Sequence, residues 1–436
     1  MLLRVIIKNF LSFYEETEFN LFPNPKRESF QSHINTTEKI PLLKQSIIYG
    51  ANGSGKSNFI KALWFIRALV TEENFLQHID IQDYKFQLIS INTSPIFFEI
   101  EFFCRKKYYI YQIELNKVIT ERLFISGLGE VENELVFERI GNTLQSPHLA
   151  TNNKGLSEQL LKNNNKSSII PLNEKFPIIV GADIKSITDW FKTKLKVISI
   201  SSKVPALIEL MSKNSQLFNY ANNMLRHLKI ADSLMIQDTP LDEWMHDKKN
   251  AESIQTLMDS MNNVTPSTSI AAFSDNRNSF SISLKQGEKV VSEFLFDQLG
   301  YNNYHKKMKI SSQSDGTVRL LTLLPAIYSA AMKGETVFID EIENSMHPNL
   351  IYTLIKFYAD NPSKGQLIFT THLTKFQNQQ DLVRPDELWS VEKEHGNSKM
   401  RSFNDFKIHH TINIENGYLD GRYGGIPTIS DIDNNE

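Results

Sequence analysis

The loop at residues 50–57, with the sequence GANGSGKS, constrains this chain more than any other feature. It matches the pattern G-x-x-x-x-G-K-[ST] without a mismatch. It lies between a short apolar run at residues 45–49 and a run with helical apolar spacing at residues 58–70. A glycine-rich turn between a buried strand and a helix binds phosphate, because backbone N–H groups and the helix dipole both face the anion. The pattern therefore predicts a strand, a phosphate-binding loop and a helix.

The residue types of this loop predict individual roles. Lys56 is expected to reach the β- and γ-phosphates of ATP, and Ser57 is expected to ligate Mg²⁺. A glycine-rich turn without a ligand is the alternative, and the flanking strand and helix argue against it. The predicted nucleotide-binding residues of the loop are Gly50, Asn52, Gly53, Ser54, Gly55, Lys56, Ser57 and Asn58.

A second motif lies much later in the chain, at residues 336–341. It is acidic, because the apolar run TVFI ends in Asp340 and Glu341. In a nucleotide-binding site, an aspartate at the end of such a strand can hold the metal ion, and Asp340 has this position. The glutamate after it is placed to polarise the attacking water. The alternative is a buried strand capped by a solvated acidic pair.

Two further segments flank this acidic strand. Residues 311–320, SSQSDGTVRL, open an apolar helix with a polar turn, and a helix N-terminus favours phosphate. An ordinary N-cap formed by Ser314 or Asp315 is the alternative. Residues 366–372, QLIFTTH, read as a buried strand that ends in His372, for which an ordinary loop histidine is the alternative.

In this order the four segments resemble the Walker A, signature, Walker B and H-loop motifs of ABC-type ATPases of the SMC/RecF kind. Such ATPases open with a strand and then Asn-Phe and a small residue, as Asn9, Phe10 and Ser12 do here. Residues 344–348, NSMHP, resemble their D-loop. The resemblance covers about the first 70 residues and the chain after about residue 280.

In particular, the chain resembles the bacterial OLD-like "AAA" ATPases that occur in phage-defence and abortive-infection operons. Their recurring segments are S-D-G-T, D-E-x-E-x-x-x-H-P, T-T-H and Y-L-x-G-R-x-G-x-I-P. These segments appear here at residues 314–317, 340–348, 370–372 and 418–427. The Ser-Asp-Gly-Thr segment departs from the usual L-S-G-G-Q signature but suits this group.

The resemblance implies an α/β fold, a P-loop NTPase of the ABC/SMC-RecF type with an antiparallel β subsheet and a helical lid insertion. The alternating strand patterns at residues 97–103, 107–115 and 135–139 independently predict antiparallel hairpins. The expected domains are an N-terminal ATPase lobe (1–180), a helical lid insertion (181–275) and a C-terminal ATPase lobe (276–436).

The resemblance also assigns roles to residues. Glu341, His372 and Lys56 are the expected catalytic residues. Ser314 and Gly316 are expected to bind ATP held by a second copy of the chain. The expected Mg²⁺ ligands are Ser57, Asp340 and Gln87. Gln82 is an equally placed alternative for the Q-loop glutamine, and a polar strand edge is the alternative for both.

The composition of the chain argues against some classes of protein and partner. The formal net charge of −3 argues against a basic protein that coats DNA. Cys104 is the one cysteine, so no disulfide framework is expected. No apolar run is long enough to span a bilayer, and a cytoplasmic protein without membrane contact is the expectation.

The resemblance predicts a homodimer, or a higher homo-oligomer, whose ATPase heads enclose ATP. OLD nucleases carry a Toprim domain, but only 64 residues follow His372 here. The pair Asp431 and Asp433 reads as part of a solvated tail, so a separate Toprim-like nuclease is the expected partner. Three functions stay open: an ATPase sensor and scaffold of a defence system, a RecF-like DNA repair ATPase, and a self-contained nuclease.

Overall fold

The computed structural model describes residues 1–149, 154–179, 181–199, 207–246, 270–275, 278–285, 287–378, 381–406, 408 and 412–426. The chain forms two compact units. Unit 1 comprises Met1–Ile200, Ser329–Ile342 and Tyr358–Glu436. Unit 2 comprises Ser201–Tyr328 and Glu343–Phe357. The acidic pair at residues 431 and 433, and Pro427, lie outside the described residues.

The strands, in chain order, are β1 (Leu2–Lys8), β2 (Thr17–Asn20), β3 (Ile34–Thr36), β4 (Pro41–Leu43), β5 (Gln45–Gly50), β6 (Ile96–Cys104), β7 (Lys107–Leu115), β8 (Ile119–Ile125), β9 (Glu134–Ile140), β10 (Thr143–Gln145), β11 (Leu195–Ile198), β12 (Ser233–Pro240), β13 (Ile270–Asp275), β14 (Asn278–Lys285), β15 (Glu288–Leu299), β16 (His305–Lys309), β17 (Thr336–Ile339), β18 (Gln366–Thr370), β19 (Leu388–Glu394) and β20 (Asn397–Ser402).

The α-helices are α1 (Lys56–Thr71), α2 (Lys154–Asn163), α3 (Ile169–Lys175), α4 (Ala182–Asp189), α5 (Leu207–Ser212), α6 (Ser215–His227), α7 (Leu241–Met245), α8 (Asp315–Lys333), α9 (Pro348–Asp360) and α10 (Ile414–Leu419). In the described residues, no helix combines the length and the apolar character needed to cross a bilayer.

A six-stranded sheet in unit 1 carries the predicted Walker strands. Its strand order is β11-β17-β18-β5-β19-β20, and all neighbours are parallel except β19 and β20. β5, β17 and β18 are buried along their whole length, which explains their continuous apolar character. Because these strands are parallel, the loops that follow Gly50, Ile339 and Thr370 leave the same edge of the sheet.

The second sheet of unit 1 is antiparallel, with seven strands in the order β10-β9-β8-β7-β6-β1-β2. β6 to β9 follow one another as hairpins, for example with Phe102 opposite Tyr109 and Ile113 opposite Glu121. The alternating patterns therefore predicted these strands correctly. The predicted α/β fold with an antiparallel subsheet is confirmed.

The helix α1 contacts both of these sheets through aromatic side chains. The Phe59 ring lies 6.3 Å from the Phe338 ring of β17, and the Phe65 ring lies 5.6 Å from the Phe98 ring of β6. All four side chains are buried. A fully buried side chain of this size contributes about 1.5–3 kcal/mol to stability. This packing holds the start of α1 at the edge of the parallel sheet.

Unit 2 is built on a third sheet, with the order β12-β15-β14-β13 and with β16 also paired to β15. β14 and β15 form the hairpin that the alternation at residues 280–284 predicts, with Lys285 opposite Glu288. Gly287 at the turn has a φ of +89°, a backbone conformation that side chains disfavour. The sequence predicts a turn at residues 286–288, and Gln286 lies outside the described residues.

The region predicted to be a helical lid is only partly helical. It contains α4, α5, α6 and α7, but Ser233–Pro240 is a strand that pairs with β15 over its full length. Met235 and Ile236 suit either structure, and the pairing with β15 decides between them because strand preference depends on neighbouring strands. The domain boundaries at residues 180 and 275 stay a prediction.

Candidate nucleotide-binding site

The Walker A loop joins β5 to α1 as predicted. Lys56 is the first residue of α1, and its Nζ atom donates to the carbonyl oxygens of Gly50 (2.6 Å) and Ala51 (3.1 Å). The side chain thus curls back over its own loop. The ammonium group lies at the centre of the turn whose backbone amides would face a phosphate.

Two serines from distant parts of the chain brace this loop. The Ser398 hydroxyl donates to the Ser54 carbonyl oxygen (2.5 Å), and it also lies 2.8 Å from the Ser12 hydroxyl. Asn58 in turn donates to Ser12 (2.8 Å). A Cβ atom at Gly55 would lie 2.3 Å from Ser398 Oγ, so only glycine fits between these serines.

These contacts add site residues that sequence reasoning missed. The sequence identifies Ser12 only as the small residue of a family motif, and the structure gives it a direct contact with Asn58. Ser398 lies in β20, in a segment without a recognisable signal. Among the residues that the structure describes, the buried Ser54 hydroxyl has no hydrogen-bond partner. A glycine cradle with an unused buried hydroxyl fits a bound polyphosphate.

The Walker B motif is organised by one threonine. The Thr370 hydroxyl donates to Asp340 Oδ1 (2.7 Å) and accepts from the backbone N–H of Glu341 (2.7 Å). Thr370 ends β18, which lies between β17 and β5. Asp340 is buried and also donates its own N–H to Ile198 (2.8 Å). The acidic pair is therefore fixed at the end of β17, one strand away from the Walker A strand β5.

Glu341 has a left-handed backbone, with a φ of +46°. A residue other than glycine, asparagine or aspartate rarely adopts this conformation, and such strain is concentrated at functional sites. The bend turns the chain away from β17 immediately after Asp340. Glu341 is half-buried and His372 is exposed, and both follow strands that end at the edge carrying the Walker A loop.

The predicted signature residues lie in unit 2, whereas the Walker motifs and His372 lie in unit 1. Ser314 is exposed and caps α8, because its hydroxyl accepts from the Thr317 N–H (3.2 Å). The ordinary N-cap reading of Ser314 is thus correct, and it leaves the phosphate role open. A Cβ atom at Gly316 would lie 2.7 Å from the Ser345 carbonyl oxygen, so the predicted signature and D-loop touch within one chain.

Gln87 is exposed, and its side-chain amide donates to the carbonyl oxygens of Gln82 (2.6 Å) and Lys85 (3.0 Å). These hydrogen bonds keep the amide within its own loop. The assignment of Gln87 as an Mg²⁺ ligand, and of Gln82 as its alternative, stays a prediction.

The described part of the family-like segment, residues 418–426, lies beside the Walker A loop. Together with residues 391–394 and Arg401, it lines a cleft of about 820 Å³ whose other wall is the loop at residues 51–54. The aromatic residues, arginine and glycines of this segment predict either a docking surface that includes Arg422 and Tyr423 or a turn that pins the tail through Tyr418, Leu419 and Ile426. Tyr423 is buried against Phe403 and Phe406, as the second interpretation expects. Arg422 is exposed, as a docking role requires, and pairs with Asp420 (3.1 Å).

Comparison with known families gives one match. The family described as "AAA domain, putative AbiEii toxin, Type IV TA system" matches residues 46–376, which include Walker A, Walker B and His372. None of the proteins with curated functions matches this chain.

Among solved structures, the chain is similar to SMC head domains. One is the SMC head domain from Thermotoga maritima, with 13% identity, a TM-score of 0.41, and coverage of 92% of this chain and 98% of that one. A second is the Smc head bound to the C-winged helix domain of ScpA, with 12% identity, a TM-score of 0.44, and coverage of 92% and 97%. A third is a Pyrococcus furiosus Smc head with an extended coiled coil, with 14% identity, a TM-score of 0.34, and coverage of 97% and 98%.

Proposed function

The chain belongs to the AAA-domain family matched at residues 46–376, and we propose that it is an ABC-type ATPase that dimerises around ATP. We further propose that it is OLD-like and acts as the sensor and scaffold of an antiphage defence system, where it controls a separate nuclease. The observation that carries the ATPase proposal is the Thr370 hydroxyl. It fixes Asp340 and Glu341 at the sheet edge from which the Walker A loop leaves.

The side chains of this edge have distinct tasks in hydrolysis. Lys56 neutralises charge on the β- and γ-phosphates, and Ser57 and Asp340 hold Mg²⁺. Glu341 accepts a proton from the attacking water, and its fixed backbone aims the carboxylate. His372, at the end of the neighbouring strand, contacts the γ-phosphate. Bound Mg²⁺ supplies the positive charge that the transferring phosphoryl group requires.

The start of α8 supplies the second half of the site in this proposal. Ser314 and Asp315 at the start of this helix are exposed, and a helix N-terminus favours an anion. In the dimer, Ser314 and Gly316 of one copy contact ATP held by the Walker A loop of the other. ATP then joins the copies, and hydrolysis weakens the contact because it removes the shared γ-phosphate.

The control of a separate nuclease is tested by co-purification. The tagged chain is produced with the proteins encoded beside it, and the complex is weighed with and without ATP. We expect a partner bound to Glu341→Gln in the presence of ATP, and release of that partner from Lys56→Ala. A partner held equally by both variants would contradict control by ATP, and the absence of any partner would contradict the scaffold role.

A RecF-like ATPase that acts on DNA is the second candidate, and one surface of unit 2 favours it. The tip between β15 and β16 exposes Tyr301 (89%) and Tyr304 (66%). Lys306 and Lys307 follow and are exposed. Nearby acidic groups are Asp297, which pairs with His305 (3.2 Å), and Glu293, which pairs with Lys309 (3.4 Å). Exposed aromatic rings beside lysines are typical of single-stranded nucleic-acid sites.

Fluorescence anisotropy with labelled oligothymidylate tests this candidate. Replacing both Tyr301 and Tyr304 with alanine is expected to weaken binding by about tenfold, because each base loses a stacking partner. Replacing both with phenylalanine keeps the rings and is expected to leave binding unchanged. Equal affinities of the two double variants, or no binding by the wild type at low salt, would rule out a nucleic-acid role for this tip.

A further inference from the structure

The terminal segment, which we define as residues 414–426, is attached to the strand that leads into Walker A. The Tyr418 ring lies 5.5 Å from the ring of Tyr49, the residue before Gly50. The buried Ser390 hydroxyl of β19 donates to the Tyr423 carbonyl oxygen (2.7 Å). β19 is the strand next to β5 in the parallel sheet. The segment therefore packs on the two strands that carry and flank the Walker A loop.

The same segment is attached to the chain that follows His372. The Thr374 hydroxyl donates to Glu415 Oε1 (2.5 Å), and Tyr49 donates through its hydroxyl to the Leu373 carbonyl oxygen (3.4 Å). Tyr49 thus touches both Tyr418 and the H-loop region. One short helix, α10, joins the two loops to which the proposed function assigns the γ-phosphate.

Gly425 lies against the first glycine of the Walker A loop. Its φ is +78°, and a Cβ atom there would lie 3.4 Å from Gly50 Cα and 3.3 Å from Ser390 Cβ. The Tyr418 hydroxyl donates to the Gly425 carbonyl oxygen (3.1 Å) and fixes this backbone. Burial raises the pKa of Tyr418 to about 12, so the hydroxyl keeps its proton at neutral pH.

We propose that the terminal segment is a positioning element of the nucleotide site. It sets the affinity for ATP because it fixes the position of Gly50 relative to the loop after His372. This inference rests on the ATP binding of the proposed function. Backbone N–H groups bind phosphate only when the loop has the correct curvature, so a displacement of its first glycine weakens several hydrogen bonds together. Glycine at position 425 suits this approach, because its φ of +78° is a backbone conformation that other residues rarely adopt.

The pair Gly425→Ala and Gly129→Ala tests the proposal. Gly129 lies outside the terminal segment and has a φ of +76°, nearly the same as Gly425, but a Cβ atom there would have no neighbour within 4 Å among the described residues. Both alanines therefore add strain at a left-handed backbone position, and only the one at position 425 does so beside Gly50. We expect Gly425→Ala alone to weaken binding of a fluorescent ATP analogue, by about tenfold.

A second variant covers the case in which Gly425→Ala does not fold. Tyr418→Phe keeps the ring on Tyr49 but removes the donor to Gly425, and we expect about threefold weaker binding of the ATP analogue. ATP affinities of Gly425→Ala and Tyr418→Phe equal to that of Gly129→Ala would overturn the positioning role. A wild type that binds ATP no better than Lys56→Ala would instead overturn the proposed function, so the two failures are distinguishable.

Discussion

The Glu341→Gln variant is expected to bind ATP as the wild type does and to hydrolyse it at least about 100 times more slowly. An amide cannot accept the proton of the attacking water, but it fills the same space as the carboxylate. The Thr370 hydroxyl contacts the backbone N–H of residue 341 and not its side chain, so the left-handed bend should persist. Single-turnover hydrolysis and equilibrium binding of ATP separate the two effects.

Glu335→Gln is the matched control for this result. Glu335 directly precedes the same strand, β17, and is buried, so the same substitution is made at the opposite end of the strand from Asp340. We expect hydrolysis by this control to stay near the wild-type rate. A Glu341→Gln chain that turns over ATP as fast as Glu335→Gln would show that the Walker B assignment is wrong.

A mixture of Lys56→Ala and Ser314→Arg chains is expected to recover hydrolysis that neither variant shows alone. Lys56→Ala removes the charge on the β- and γ-phosphates, and Ser314→Arg blocks the helix start that would contact the second copy's ATP. A heterodimer has one intact site, made from the normal Walker A of one chain and the normal α8 start of the other. A random mixture should recover about a quarter of the wild-type rate, since half the dimers have one working site.

Ser312→Arg controls for the added charge in this experiment. Ser312 is exposed and lies two residues before the helix cap, so the same arginine is added without loss of the Ser314 hydroxyl. We expect this chain to remain active alone. A mixture as inactive as its two components would contradict a site shared between copies, provided that nucleotide occupancy shows one filled site per dimer.

The sequence by itself determined the local chemistry of the site. The conformation of residues 50–57 is set by local interactions, because the glycines, Lys56 and the following helix lie within a few residues of one another. The buried strands β5, β17 and β18 were predictable for a related reason. A parallel strand covered on both faces is apolar throughout, and that character can be read without knowledge of its neighbours.

Only the tertiary structure decided which residues support that chemistry. Ser12 and Ser398 lie 386 positions apart in the chain, yet their hydroxyl groups are 2.8 Å apart beside Gly55. Thr370 contacts Asp340 only because β18 lies beside β17. Contacts with distant parts of the chain also decide that Ser233–Pro240 is a strand and that Tyr423 is buried. A serine, a tyrosine or a short mixed run suits many environments, and the partner that folding brings to it selects one.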